Sequence, residues 1–173
     1  MAGRPACEVQ VTGAAIGLYS GGFGCSGAKP QTALVRLLST LHDDKGHVAI
    51  EGFYEKVKPL EDWERKAWRE LPLNGDEEIL KETAAPALFG EEGYSTIERL
   101  WGRPTAEING IGGGYQGVGT KTVIASNAMA KLTFRRVPNQ AGGEVLTVAP
   151  RHLQQHLPRR GALEVMRGNR CPG

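Results

Sequence analysis

The chain has 173 residues, a formal net charge of +2 and 23% charged residues, a balance that points to neither a nucleic acid nor a membrane surface. This length accommodates one globular domain, or one domain carrying an insertion. No apolar run reaches the ~20 residues of a membrane span, and the N-terminus lacks a charged-then-apolar signal pattern.

Cys7 to Gly13 (CEVQVTG) alternates, with Cys7, Val9 and Val11 on one side and Glu8, Gln10 and Thr12 on the other, which predicts a strand. Ile16 to Lys29 reads as a glycine- and serine-rich loop. Pro30 then opens a helix, the first-turn position that suits proline. Ala33, Leu34, Leu37, Leu38 and Leu41 form its apolar stripe. The helix is expected to end near His42–Gly46, with a short strand over His47–Ile50. The three cysteines, Cys7, Cys25 and Cys171, lack metal-ligand spacing, so a reduced cytoplasmic chain is expected.

Residues 51–104 differ in character and hold all three tryptophans. Leu60, Trp63, Ala67 and Leu71 predict one face of a helix stopped by Pro72. Asp76–Thr83 predicts a weaker one, and Ser95-Thr96-Ile97-Glu98 is a capping box for a third, ending near Trp101. The segment reads as a helical insertion packed on the main sheet.

Thr105 to Asn109 predicts a strand that enters a glycine-dense loop. The chain returns through Thr122–Ile124 into a second alternating run, Ala130 to Val137. There Ala130, Leu132 and Phe134 fall on one side and Lys131, Thr133 and Arg135 on the other. A cation on the open face of a sheet, beside a glycine loop, suits capture of an anion. Gly112–Gly117 formally matches G-x-G-x-x-G, but a dinucleotide site needs a helix directly after the loop, and Val118–Ile124 is β-rich. Gly119-Thr120-Lys121-Thr122 also misses the Walker spacing by one inserted threonine. Glu144 to His156 leans helical. Pro150 would cost about 3 kcal/mol inside a helix, so the well-formed part is expected to begin near it. Gly161–Met166 gives the last strand. Without the insertion the order is strand–helix–strand–strand–helix–strand. The expected fold is therefore α+β, a ferredoxin-like βαββαβ sandwich whose four-stranded antiparallel sheet carries two helices on one face. Its core is expected over about 6–50 and 105–167.

Several stretches resemble a known family: Glu107-Ile108-Asn109-Gly110-Ile111, Gly113-Gly114-Tyr115, Lys121-Thr122-Val123-Ile124, and Phe134-Arg135-Arg136-Val137-Pro138-Asn139-Gln140. They are similar to the lid domain of the zinc-dependent dipeptidases and deacylases, which include carnosinases, acetylornithine deacetylases and succinyl-diaminopimelate desuccinylases. The dipeptidase branch is nearest, and the resemblance runs from about Cys7 to Val165. It implies a lid that pairs with a second lid to form a homodimer and closes over substrate, some side chains reaching the partner subunit's site. By the same resemblance Arg135 holds the substrate carboxylate, a task suited to a guanidinium's paired, charge-assisted hydrogen bonds. Thr122 contacts the same end of the substrate and Asn109 lies near the site. Gly113 and Gly114 permit close backbone approach.

In the family the zinc ligands lie in a separate catalytic domain, and none of its metal-binding stretches has a counterpart here. His152 and His156 are four apart on an expected helix, but the glutamate of H-E-x-x-H is replaced by Leu153; they and the His42/His47 pair read as surface groups. No cofactor is expected in this chain, zinc is expected in the catalytic domain, and the lid alone is expected to be inactive. The family loop Asp-Leu-His-Ser-Gly corresponds to Gly17-Leu18-Tyr19-Ser20-Gly21, so Tyr19 stands where a histidine polarises the scissile carbonyl. A phenol donates a hydrogen bond but is not a cation near neutral pH. Ala125 replaces a usual proline, and Lys29 a helix cap.

Three function classes follow: the lid and dimerisation domain of a zinc peptidase or deacylase, a stand-alone self-associating or carboxylate-binding module, and a nucleic-acid binder. The last requires exposed aromatics and a basic stripe on the central strands. Phe134 is inward in phase, and Arg159, Arg160, Arg167 and Arg170 read as solvated, so no nucleic acid is expected.

Overall fold

The alternation of Cys7, Val9 and Val11 forms strand β1 (Ala6–Thr12), with all three side chains buried. The computed structural model describes residues 5–72, 74–158 and 162–167. The expectations for Gly161, Cys171, Arg159, Arg160 and Arg170, and for the side chain of Arg167, lie outside what it describes. After β1 the expected loop contains a two-residue strand β2 (Leu18–Tyr19) and one helical turn, α1 (Ser20–Phe23). Pro30 opens α2 (Pro30–Leu38), which buries Leu34, Leu37 and Leu38. It stops four residues earlier than expected. The Ser39 hydroxyl donates to the Arg36 carbonyl at 2.8 Å and the Thr40 hydroxyl to that of Leu37 at 2.7 Å, so local side chains satisfy the helix end. The strand expected at His47–Ile50 is only a bridge between His42 and Val48.

Three helices occupy the 51–104 segment: α3 (Asp62–Arg69), α4 (Gly75–Thr83) and α5 (Thr96–Gly102). The capping box is present: Glu98 N–H donates to Ser95 Oγ at 3.3 Å, and Ser95 N–H to Glu98 Oε2 at 2.9 Å. The stripe expected on α3 is not buried, since Trp63 is 69% exposed and Ala67 is also exposed. The helix instead faces α5 through Arg65, within 3.5 Å of Glu98, and Trp68, edge-on to Trp101 at 5.8 Å. Positions 65 and 68 are three apart and share a face.

Strand β3 (Thr105–Gly113) runs four residues further than expected, because the glycines pair in the sheet as far as Gly113 opposite Ala128. The return passes through β4 (Val123–Ile124), antiparallel to β2, into β5 (Asn127–Arg135). Helix α6 (Gly142–His156) includes Pro150, contrary to the expected start near that residue. Proline removes one hydrogen bond at ~3 kcal/mol. Val145, Ala149 and Leu153 bury one helix face on both sides of it, and a fully buried valine or leucine contributes about 1.5–3 kcal/mol. Packing outweighs the lost bond. Strand β6 (Ala162–Arg167) pairs with β1. The architecture is α+β, with an antiparallel main sheet in the order β3-β5-β1-β6 and a second, two-stranded sheet β2-β4.

The core lies on one side of the main sheet. Val9, Val11, Ala130, Leu132 and Phe134 meet Leu34, Leu37 and Leu41 from the α2 side and Val145, Ala149 and Leu153 from α6. A separate polar network ties the helical segment to the turn after α2. Arg103 donates from Nε to Glu91 Oε2 at 2.7 Å and from Nη2 to Oε1 at 2.5 Å, with both residues buried. The same carboxylate lies 3.0 Å from His47 Nε2. Arg103 also stacks on the rings of Tyr54 and Tyr94, 4.9 and 4.5 Å from their centroids. Burial works against the Arg103 charge, but the hydrogen bonds and charge of Glu91 outweigh it and push its pKa up.

Breaking this pair from one side strands a buried charge, which typically costs about 3–5 kcal/mol. Arg103→Ala is therefore expected to lower the unfolding free energy by that order in urea titration. Glu91→Leu combined with Arg103→Met should lower it less than Arg103→Ala. Burial, then neighbouring His156, holds the His152 imidazole below the ordinary histidine range. The neutral form is favoured by the fold, so its stabilisation is complete above the unfolded pKa of about 6.5 and lost as pH falls through the lower folded value. Tm should drop as pH falls below about 6.5, and His152→Gln should flatten that slope in thermal scans.

Candidate functional site

Arg135 closes β5 opposite Thr105 of β3, on the face of the sheet away from the core. Period-two geometry places it there because Phe134 points inward. Its Nη1 donates to the Leu100 carbonyl at 3.4 Å. Around it lies a pocket of about 260 Å3, walled by Leu88, Arg99, Leu100 and Arg103 on the helical side and by Thr105 and Glu107 on β3. The helical segment thus covers part of the sheet's otherwise open face.

Asn109 is the extra residue of a β-bulge. The register passes from Ile108 opposite Leu132 to Gly110 opposite Lys131, which leaves Asn109 unpaired. Its side chain is exposed, and a bulge of this kind re-aims a side chain relative to the ladder.

The remaining candidate residues gather at the opposite end of β5. Gly113 and Gly114 have φ of +136° and +72°, and a Cβ on Gly113 would sit 3.0 Å from Ala128 Cα, so both positions favour glycine. Tyr19 pairs with Val123, and Ser20 N–H donates to the Thr122 carbonyl at 3.0 Å, which makes Tyr19 and Thr122 neighbours. Both are exposed. The loop before them is held by its own contacts: Gln116 Nε2 donates to the Gly113 carbonyl at 2.7 Å, and Lys121 Nζ lies 4.5 Å from the centre of the Tyr115 ring. No helix follows Gly117; the next regular element is β4.

From Ala128 to Arg135 the strand advances seven residues, roughly 23 Å at about 3.3 Å each. Arg135 and the Gly113–Gly114 turn therefore lie too far apart in one copy of the chain to touch the same small ligand. They lie at opposite ends of the sheet, with Asn109 between them.

Among the described residues, no group of three or more His, Cys, Asp or Glu is arranged to hold an ion. His152 Nε2 lies 3.0 Å from Thr40 Oγ1, and His156 Nδ1 lies 2.9 Å from the His152 carbonyl. His47 faces Asp43 and Glu91. Among the described residues no helix is long and apolar enough to cross a membrane. Inspection of the sequence missed both the Glu91–Arg103 pair and the participation of Arg99 in the pocket. Charged residues in a polar, helix-forming segment carry no sequence signal that separates them from a solvated face.

Several known proteins resemble this chain. A rat Beta-Ala-His dipeptidase (Rattus norvegicus) is 30% identical over 148 residues, 86% of this chain and 30% of the relative. A Cys-Gly metallodipeptidase of Candida albicans is 30% identical over 132 residues, 76% of this chain and 27% of the relative. The chain thus spans under a third of the length of these curated relatives. The crystal structure of human carnosine dipeptidase 1 superposes with a TM-score of 0.84 at 28% identity, covering 95% of this chain and 36% of that one. The peptidase dimerisation domain profile matches residues 6–161, from the start of β1 to the approach to β6. Because that match covers most of the chain, the chain belongs to the peptidase dimerisation domain family.

Proposed function

We propose that this chain is the lid and dimerisation domain of a zinc-dependent dipeptidase or N-acyl amino acid hydrolase whose reaction takes place in a separate catalytic domain. The observation that carries this reading is the length of β5: Arg135 and Ala128, which pairs with Gly113, lie roughly 23 Å apart along the strand. Two lids related by a two-fold axis offer a use for that separation: each copy grips the carboxylate of its own substrate with Arg135 and presents its glycine-loop end to its partner's site. Thr122 and the backbone at Gly113 and Gly114 then contact the substrate from across the dimer, and Asn109 lies nearer the middle. Zinc belongs to the catalytic domain in this reading. The strand order and the helices α2 and α6 support a ferredoxin-like core over about 6–50 and 105–167, with 51–104 as the insertion. The cysteine usage supports a cytoplasmic setting.

Tyr19 sets the activity of such an assembly. A phenol replaces the cationic donor, and loss of one transition-state donor commonly costs about a hundredfold or more in rate. The isolated chain should turn over no dipeptide. Joined to a family catalytic domain, it should remain slow, and Tyr19→His should raise kcat by about that factor. Equal kcat for the two versions, measured with a dipeptide at saturating zinc, would remove the role assigned to Tyr19. Light scattering of the chain at high concentration should give twice the monomer mass. A monomer there would count against the lid-to-lid pairing.

A further inference from the structure

The pocket beneath α5 is lined by three guanidiniums, Arg99, Arg103 and Arg135, and two carboxylates, Glu91 and Glu107. Arg99 lines it together with Arg135, and among the described residues neither forms an ion pair. Arg99 is held in place from behind. Its Nε donates to the Glu91 carbonyl at 2.9 Å, and its stem lies over Gly90, where a Cβ would come within 2.9 Å of its Cδ. That leaves the terminal nitrogens of Arg99 without a hydrogen-bond partner among the described residues. Arg103, the third guanidinium in the wall, is already neutralised by Glu91.

A second observation lies on the sheet side. The Thr105 side chain borders the same pocket, and its Oγ1 is shielded from solvent with no hydrogen-bond partner. Buried hydroxyls are normally paired. Its cross-strand neighbour is Arg135, so a ligand that re-seats the Arg135 side chain also changes the surroundings of that hydroxyl. Leu88 and Leu100 give the pocket an apolar wall, and Glu107 is the opposing charge at the β3 rim.

We propose that this pocket takes a small dicarboxylate, with one carboxylate on Arg135, the second on Arg99 and the methylene arm against Leu88 and Leu100. The inference rests on the reading of Arg135 as a carboxylate grip and adds Arg99 as the residue that selects an acidic side arm. Two guanidiniums at separate points of one pocket discriminate because a ligand with one carboxylate can satisfy only one of them.

Titration calorimetry of the full chain with glutarate and with butyrate tests it. Glutarate should bind at least about tenfold more tightly. Arg99→Gln should bring glutarate to the butyrate Kd and leave butyrate unchanged, and Arg99→Lys, which keeps the charge without the fork, should retain part of the preference. Arg135→Gln should weaken both ligands. Equal affinities for the two acids, an Arg99→Gln variant that binds both as the parent does or weakens both alike, or failure of the parent to bind either acid would overturn the proposal. If Arg135→Gln alone weakens butyrate while Arg99 is inert, the carboxylate role of Arg135 survives without this pocket. If butyrate binds and is indifferent to Arg135, both readings fall.

Discussion

The phase of β5 governs most of this molecule. The strand pairs with β3 on one side and β1 on the other, so its alternation is shared by three strands at once. Ala128, Ala130, Leu132 and Phe134 are buried, and this assigns Lys131, Thr133 and Arg135 to the opposite face. A slip of one residue would exchange the two sets and drive a lysine and an arginine into the core, at a cost far above the few kcal/mol by which domains of this size are stable. The placement of Arg135 is thus a by-product of core packing. The carboxylate-gripping role proposed for Arg135 would thus fall to a side chain whose position hydrophobic burial has already determined.

The helical segment is attached by different means. Its contacts to the rest of the chain are polar and aromatic: the Glu91 carboxylate against His47, the Leu100 carbonyl accepting from Arg135, the Phe53 carbonyl accepting from Gln140, and the tilted Phe53–Phe134 ring pair. Directional contacts of this kind specify one docking geometry, whereas a smooth apolar seam would tolerate several. That fixed geometry gives the pocket its shape, because α5 and the residues around Gly90 form one wall while β3 and the end of β5 form the other.

The parts legible in the sequence share one property: local patterning and burial agreed. The strands at Cys7–Val11 and Ala130–Phe134, the proline that opens α2 and the capping box at Ser95–Glu98 all appear where the residues imply. Misreadings arose where long-range contacts overrode local preference. Pro150 lies inside α6 because residues on both sides of it are buried, and Trp63 is exposed because α3 presents Arg65 and Trp68 to α5 instead. For the site, residue types were legible and distances were not. Arg135, Thr122, Asn109 and Tyr19 are candidates from the sequence, but only the strand register shows that Arg135 and the glycine turn at Gly113 lie at opposite ends of the sheet with Asn109 between. Arg99 could not be named at all, because its significance depends on a neighbouring strand that the helix reaches only after folding.

The bulge at Asn109 bears on how this molecule avoids uncontrolled assembly. β3 is a long edge strand with Ile108 and Ile111 exposed, a combination that invites copy after copy to add on in register. The extra residue between Ile108 and Gly110 breaks the regular spacing of outward-facing amide groups near the middle of that edge. An arriving strand can match the ladder on one side of the kink but not straight across it. Stacking without end, the route to fibres, meets a built-in mismatch, while a finite contact between two molecules does not.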